Sequence, residues 1–464
     1  MLIDGQAVPG ASDFAVIDPA TGEAFARCPK ADVDQLERAV AAANRAFPIW
    51  SATSIDERAA TVVRLAEALE RDAASMAALL TQEQGKPLDQ AMFEIMAAAG
   101  LMKGVSVMRP QTTVLRDTAT AKVIEVHRPL GVVAAIVPWN FPIMLLMGKV
   151  APALLTGNTM VVKPAPTTPL TALLFGEICR EILPPGVINI ICDENELGPI
   201  LTSHPDVAKV AFTGSTATGA KVMASAAGTI KRVTLELGGN DAAIVLDDLD
   251  PVQAAQKIFP LAMANAGQIC MAIKRVYVPE GMYDAFCATA AAMAQGVPVG
   301  PGNQQGTVIG PVQNAAQFER LKVLLDEAKQ KGTVLAGGDV LDRPGYFVQP
   351  TIVRDMPDDS DLVSKEQFGP ILPIQSYSDV DDAIRRVNNS QFGLGGSVWS
   401  SDVERATEVA LKLNSGTVWV NQHMGSDPEI PFRGARQSGL GGEMGQDGLH
   451  EYCQAHIINI AKPA

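Results

Sequence analysis

From Val33 towards Gly104 the apolar positions recur three and four residues apart, as at Leu36, Ala39, Val40 and Ala43. An Ala- and Leu-rich run from Arg58 to Leu80 follows. That period is the mark of helices with one buried face. Between Thr112 and Val126 the rhythm changes, and T-T-V-L-R-D and K-V-I-E-V read as two short strands, a candidate hairpin. Beyond them, near-continuous apolar strands at Val132–Val137, Met160–Val162, Val187–Ile191 and Lys209–Phe212 alternate with helical stretches at Thr168–Leu183 and Gly219–Ser225. Such alternation predicts a parallel sheet covered by helices. A second series starts near Ala242 and runs to about Val420, with strands at Ala242–Leu246 and Arg275–Val278, and Ala455–Ile460 is one more apolar strand. The pattern predicts an α/β chain of two main domains, with a small sheet assembled from the outlying strands.

A length of 464 residues agrees with two or three domains, and a 47% hydrophobic, 19% charged composition suits a buried core. The net charge of -14 leaves no basic stripe for nucleic acid and no attraction to an anionic membrane. Lys149 interrupts the longest apolar stretch, Ile143–Leu155, so no bilayer span is expected, and the N-terminus shows no secretory signal. The six cysteines are scattered without a C-x-x-C pair, so no metal centre is expected. Reduced thiols in a cytoplasmic protein are the expectation.

Four segments carry residue types that chemistry needs. Gly214-Ser215-Thr216-Ala217-Thr218-Gly219 follows an apolar strand and opens a helix. Glycine lets backbone approach a phosphate, and the helix start offers oriented N–H groups. A plain strand-turn-helix corner fits the segment equally well. Asn265-Ala266-Gly267-Gln268-Ile269-Cys270 places a thiol after a Gly-Gln turn that can present it as a nucleophile, although a lone cysteine is more often structural. In Leu235-Glu236-Leu237-Gly238-Gly239 an apolar setting would raise the carboxyl pKa and suit a general base; a strand-end glutamate facing water is the alternative. Pro138-Trp139-Asn140-Phe141-Pro142 is a stiff turn that either holds the Asn140 amide for an oxyanion or is merely structural.

Taken in order, P-W-N-F-P, K-P-A, F-T-G-S-T, L-E-L-G-G, G-Q-x-C, E-x-F-G-P and G-T-V-W-V-N followed by P-F resemble the aldehyde dehydrogenase superfamily nearly end to end. The resemblance implies a Rossmann-like cofactor domain (1–110 and 128–238), an α/β catalytic domain (239–448) and a small β oligomerisation element (111–127 and 449–464) that would join a homodimer or homotetramer. By position, Cys270 is implied as the nucleophile. Asn140 and the Cys270 N–H form the oxyanion hole, Glu236 is the base that activates water, and Lys149 and Glu443 relay the proton. Trp139, Lys163, Gly214, Ser215, Gly238, Glu366 and Phe368 match contacts to the cofactor, and Phe141, Leu145, Ile269, Met271 and Phe432 suggest an apolar tunnel for the aldehyde.

Departures from the family pattern qualify this. Where NAD-preferring members carry a glutamate three residues after the K-P-A lysine, this chain has Pro166, so Lys163 could pair with a 2′-phosphate. Both NAD and NADP are therefore expected to serve, NAD slightly ahead. P-F-G-G becomes Pro431-Phe432-Arg433-Gly434, and the lysine two residues later becomes Arg436. Arg433 is expected to be solvated or at an interface rather than to recognise an anion. Relatives acting on succinate semialdehyde carry arginines where Gly148 and Ala264 stand here. A medium-sized, uncharged aliphatic or aromatic aldehyde is expected, with Gly148 widening the tunnel. A CoA-acylating or semialdehyde-specific dehydrogenase, a catalytically idle homologue and a cysteine hydrolase are the competing readings.

Overall fold

The structure is a computed structural model that describes residues Met1–Pro463. The helical stretch from Val33 divides into Val33–Ala52, Ile55–Arg71, Ala73–Gln84 and Leu88–Ser106. Reciprocal capping boxes, Asp32 with Gln35 and Ser54 with Glu57, start the first two helices. The helix expected at Gly219–Ser225 begins earlier, at Thr216, because Ser215 takes the cap position and its side chain accepts from the Thr218 N–H.

One sheet has eight strands in the spatial order Gly439–Leu440, Arg232–Glu236, Val207–Thr213, Val132–Ile136, Thr159–Lys163, Ile188–Ile190, Leu2–Ile3 and Gln6–Ala7. The five strands from Arg232–Glu236 to Ile188–Ile190 run parallel. The chain winds outward from Val132–Ile136 through two strands, then returns to lay Val207–Thr213 on its other side. That reversal opens a crevice at the carboxyl ends of the strands, where doubly wound sheets hold nucleotides. Gly439–Leu440, from the stretch assigned by sequence to the second unit, closes one edge of this first sheet antiparallel to Leu235–Glu236.

A second sheet orders Thr333–Ala336, Thr351–Arg354, Ile371–Tyr377, Arg275–Pro279, Ala242–Val245, Gly395–Trp399 and Thr417–Val420, all parallel except the first. The outlying strands do come together: Thr113–Asp117 and Ala121–Pro129 form the expected hairpin, and Cys453–Ala461 pairs antiparallel with its second strand. The sequence pattern did not reveal a hairpin of Ser12–Asp18 and Glu23–Lys30. Its inward side chains, Phe14, Val16 and Cys28, are too few to set a period and bury against Cys192. Among the described residues no helix is long and apolar enough to cross a membrane.

Candidate active site

The crevice brings two turns against each other. Strand Arg232–Glu236 ends on Glu236, whose carbonyl accepts from Gly214 N at 3.0 Å. The chain then turns at Gly238-Gly239, where a Cβ on Gly239 would stand 2.6 Å from the Cys270 carbonyl and one on Gly238 would collide with the Glu366 carboxylate. Hydrogen at Gly239 lets strand Arg232–Glu236 and the cysteine loop approach this closely. The loop itself is tightly wound. Asn265, Ala266 and Gly267 take φ of 49°, 55° and 71° in succession. A left-handed alanine costs on the order of 1 kcal/mol, held here by surrounding bonds: Lys274 Nζ donates to the Gly267 carbonyl at 2.8 Å, and Gln313 N to Gln268 Oε1 at 2.8 Å. Cys270 follows, partly exposed, while the other five cysteines are buried.

Asn140 lies across from this loop. Its Nδ2 donates to the Gln268 carbonyl at 3.0 Å, and its own carbonyl accepts from Lys86 Nζ at 2.9 Å and Asn265 Nδ2 at 3.1 Å. Lys86 and Glu94, not singled out by the sequence, brace the turn from beneath. They form a fully buried ion pair, Lys86 sits 3.7 Å over the Phe141 ring, and Glu94 Oε1 accepts from Ile143 N and Met144 N at 3.0 and 3.2 Å. The Glu94 carboxylate thereby meets the free N–H groups at the start of helix Pro142–Leu155. Breaking a buried pair on one side leaves an uncompensated charge. Lys86→Met is expected to cost about 3–5 kcal/mol and Lys86→Met with Glu94→Leu distinctly less. Denaturant unfolding of the three proteins checks this ordering.

Glu236 is buried and neither carboxylate oxygen has a partner among the described residues. Burial pushes its pKa well above the usual carboxylate range; Glu443 and Glu451 add to the rise and Lys149 opposes it. Lys149 and Glu443 are themselves a buried pair, and Lys149 Nζ also donates to Thr213 Oγ1 at 2.7 Å. Thr213 stands opposite Glu236 in the parallel register, so the three predicted proton-handling residues converge at one strand end. Burial also raises the Cys270 thiol to about 12, with Glu366, Asp241 and Glu236 adding and Lys274 opposing.

The residues expected to contact a cofactor line the rest of the crevice. Trp139 meets Phe368 edge-on at 5.4 Å, and Phe368 takes φ 52°. Glu366 Oε1 accepts from Gly239 N at 3.0 Å, and burial lifts its pKa to about 7. Gly214 and Ser215 head helix Thr216–Ala226, and Lys163 ends the strand Thr159–Lys163. Lys163 is buried against Asp193, 2.6 Å away. A glycine cradle, an aromatic pair and a helix start with open N–H groups fit a nicotinamide dinucleotide.

Among the tunnel candidates, Phe141, Leu145, Met271 and Phe432 are partly exposed and Ile269 is buried. The Met271 carbonyl accepts from His423 Nε2 at 2.8 Å. Phe432 and Glu443 exchange backbone hydrogen bonds of 2.8 and 2.9 Å, so the tunnel wall and the relay are one structural unit. Gly148 sits beside the Lys149–Glu443 pair. A Cβ there would face Glu443 Oε2 and Leu101, each 3.8 Å away, so the space it leaves opens beside the relay pair. Arg433 pairs with Asp447 at the surface, in agreement with a solvated cation. The sequence offered faint signals for what it missed: Lys274 lies four residues after the nucleophile, and Lys86 lies in a G-K-P turn.

Known proteins resemble this chain over nearly its whole length. The lactaldehyde dehydrogenase of Escherichia coli K12 is 36% identical over 99% of this chain and 98% of its own length. Two crystal structures superpose closely: an NADP-dependent enzyme of E. coli, with TM-score 0.96, 34% identity and 99% and 98% of the two chains covered, and PnpE bound to nicotinamide adenine dinucleotide, with TM-score 0.96, 34% identity and 99% and 96% covered. Residues 7–458 match the profile of the aldehyde dehydrogenase family. The chain belongs to that family and is an aldehyde dehydrogenase, an oxidoreductase.

Proposed function

We propose that the chain oxidises an uncharged, medium-sized aldehyde to the carboxylic acid through a thioester on Cys270, with NAD(P) as the oxidant. The observation that carries this reading is Glu236, a buried carboxylate without a partner whose charge is felt at the Cys270 thiol. A structural carboxylate would be satisfied; a general base awaiting water would not.

The Cys270 thiol loses its proton to solvent and the resulting thiolate adds to the aldehyde carbon, giving a tetrahedral thiohemiacetal oxyanion. This oxyanion takes hydrogen bonds from Asn140 Nδ2, the amide held beside the loop by Lys86 and Gln268, and from the Cys270 N–H. A bound nicotinamide would supply the hydride acceptor that oxidation of the thiohemiacetal to the thioester requires. Trp139, Glu366, Phe368 and Gly238 would hold its nicotinamide end, and Lys163, Gly214 and Ser215 its adenosine and pyrophosphate end. Glu236 then takes a proton from water, the hydroxyl attacks the thioester carbon, and the acid leaves as the thiolate returns. Lys149 and Glu443 pass the proton outward. This use of Glu236 favours water over CoA as the acyl acceptor and distinguishes the chain from an idle homologue.

Glu366, Asp241 and Glu236, when ionised, each oppose a negative charge at Cys270, with Lys274 against them. The same field disfavours an anionic substrate. An aldehyde bearing a short carboxylate is therefore expected to show kcat/KM at least about tenfold below its uncharged analogue of equal length. A panel run with both cofactors measures this, and a carboxylate-bearing aldehyde ranking first would overturn the substrate reading. The sheet of Thr113–Asp117, Ala121–Pro129 and Cys453–Ala461 leaves Val114, Leu115, Ile457 and Ile460 exposed. These apolar positions suit subunit contacts in a homodimer or homotetramer. Six unpaired thiols suit a reducing cytoplasm.

A further inference from the structure

The chain lacks an acidic residue at position 166, yet it places one beside Lys163 from another direction. Strands Thr159–Lys163 and Ile188–Ile190 are parallel neighbours, with Val162 opposite Ile190. Lys163 closes the first, and Asp193 follows the second by three residues, so both side chains stand at the carboxyl edge of the crevice. Lys163 Nζ lies 2.6 Å from Asp193 Oδ1, and both side chains are almost wholly buried, at 3% and 1% exposure. Two further bonds fix the pair: Lys163 Nζ donates to Asn195 Oδ1 at 3.2 Å, and Asp193 Oδ2 accepts from Leu197 N at 2.7 Å. The same loop carries Glu194 and Glu196, each 2.7 Å from Lys30 Nζ. Two lysines therefore face three carboxylates around this corner.

We propose that Asp193, by holding Lys163 in a buried ion pair, is the residue that makes this enzyme select NAD over NADP. This rests on the reading above that Lys163 lies at the adenosine ribose. Asp193 thereby keeps a buried carboxylate at the strand end, where dinucleotide folds carry an acidic side chain beside the ribose. A 2′-phosphate at that position would bring two negative charges towards Asp193, and both nearby cations, Lys163 and Lys30, are already paired with carboxylates. Pro166 removes the usual acidic group, and the loop after the next strand supplies another.

The test is direct binding of NAD+ and NADP+ to the purified enzyme, by calorimetry or quenching of Trp139 fluorescence, with 5′-AMP and 2′,5′-ADP as fragment probes. The wild-type protein is expected to bind NAD+ at least about tenfold more tightly than NADP+, and 5′-AMP more tightly than 2′,5′-ADP. Asp193→Asn keeps an acceptor for Leu197 N while freeing the charge of Lys163, and is expected to narrow both ratios about tenfold or more, mainly by tightening the phosphorylated ligands. Equal affinities in the wild type overturn the proposal without need of any variant, so a variant that fails to fold does not protect it. A folded Asp193→Asn protein with the wild-type ratios also overturns it. Absence of binding by either dinucleotide would instead remove the cofactor reading on which the proposal rests.

Discussion

Cys270→Ala is expected to lower NAD(P)H formation by about 10⁴–10⁶-fold while leaving the fold and dinucleotide binding intact, as loss of a covalent nucleophile does elsewhere. The thiol stands partly exposed beyond a left-handed turn, so alanine removes no core contact. Steady-state rates, with circular dichroism and nucleotide titration as controls, measure the effect. The resting thiol pKa of about 12 sharpens the expectation. With carboxylates around it, Cys270 is protonated at neutral pH until the site's charges change, so wild-type activity should increase towards alkaline pH. Alkylation by iodoacetamide should follow the same rise and be lost in Cys270→Ala. Substituting any of the five buried cysteines should leave the rate within a fewfold, because burial keeps those thiols away from substrate.

Glu236→Gln produces a different defect. Acylation of Cys270 needs no base at position 236, whereas hydrolysis does. The variant is expected to give a burst of about one NAD(P)H per active site and then turn over about 10²–10⁴-fold more slowly than wild type. Stopped-flow absorbance separates the two phases. Its pH dependence carries a sign that follows from the burial of Glu236. Because burial raises the folded pKa above the ordinary value, the carboxyl becomes a base at a higher pH than a solvated glutamate does. Wild-type deacylation should therefore climb with pH through that raised pKa, and the limb should vanish in Glu236→Gln. The raised pKa also means that the folded chain binds a proton the unfolded chain releases, so this residue opposes folding increasingly as pH rises above about 4.5. Glu236→Gln should accordingly be no less stable than wild type at alkaline pH.

Much of this arrangement was legible in the residues because it depends on local pattern. Apolar strands alternating with helices mark the parallel sheets, and short motifs such as L-E-L-G-G and G-Q-x-C mark turns whose glycines the structure shows to be sterically required. The unread parts depend on distant pairings that no local period encodes. The Lys86–Glu94 pair spans eight residues but matters because it reaches Asn140, 54 residues from Lys86 in the chain. The pairing of Lys163 with Asp193 was not legible because the partner lies on the loop after a different strand. The hairpin Ser12–Lys30 was silent because only three of its side chains enter a core, and they pack on Cys192 far along the chain.

The central claim is that one thiol carries the acyl group and one carboxylate removes it. Intact-mass and peptide mass spectrometry of Glu236→Gln, quenched after a single turnover with an uncharged aldehyde and NAD+, tests it most directly. The account predicts an acyl adduct, with the mass of the oxidised substrate, on the peptide containing Cys270 and none in Cys270→Ala. NAD(P)H formed at the wild-type rate without any adduct, or an adduct on another cysteine, would contradict it.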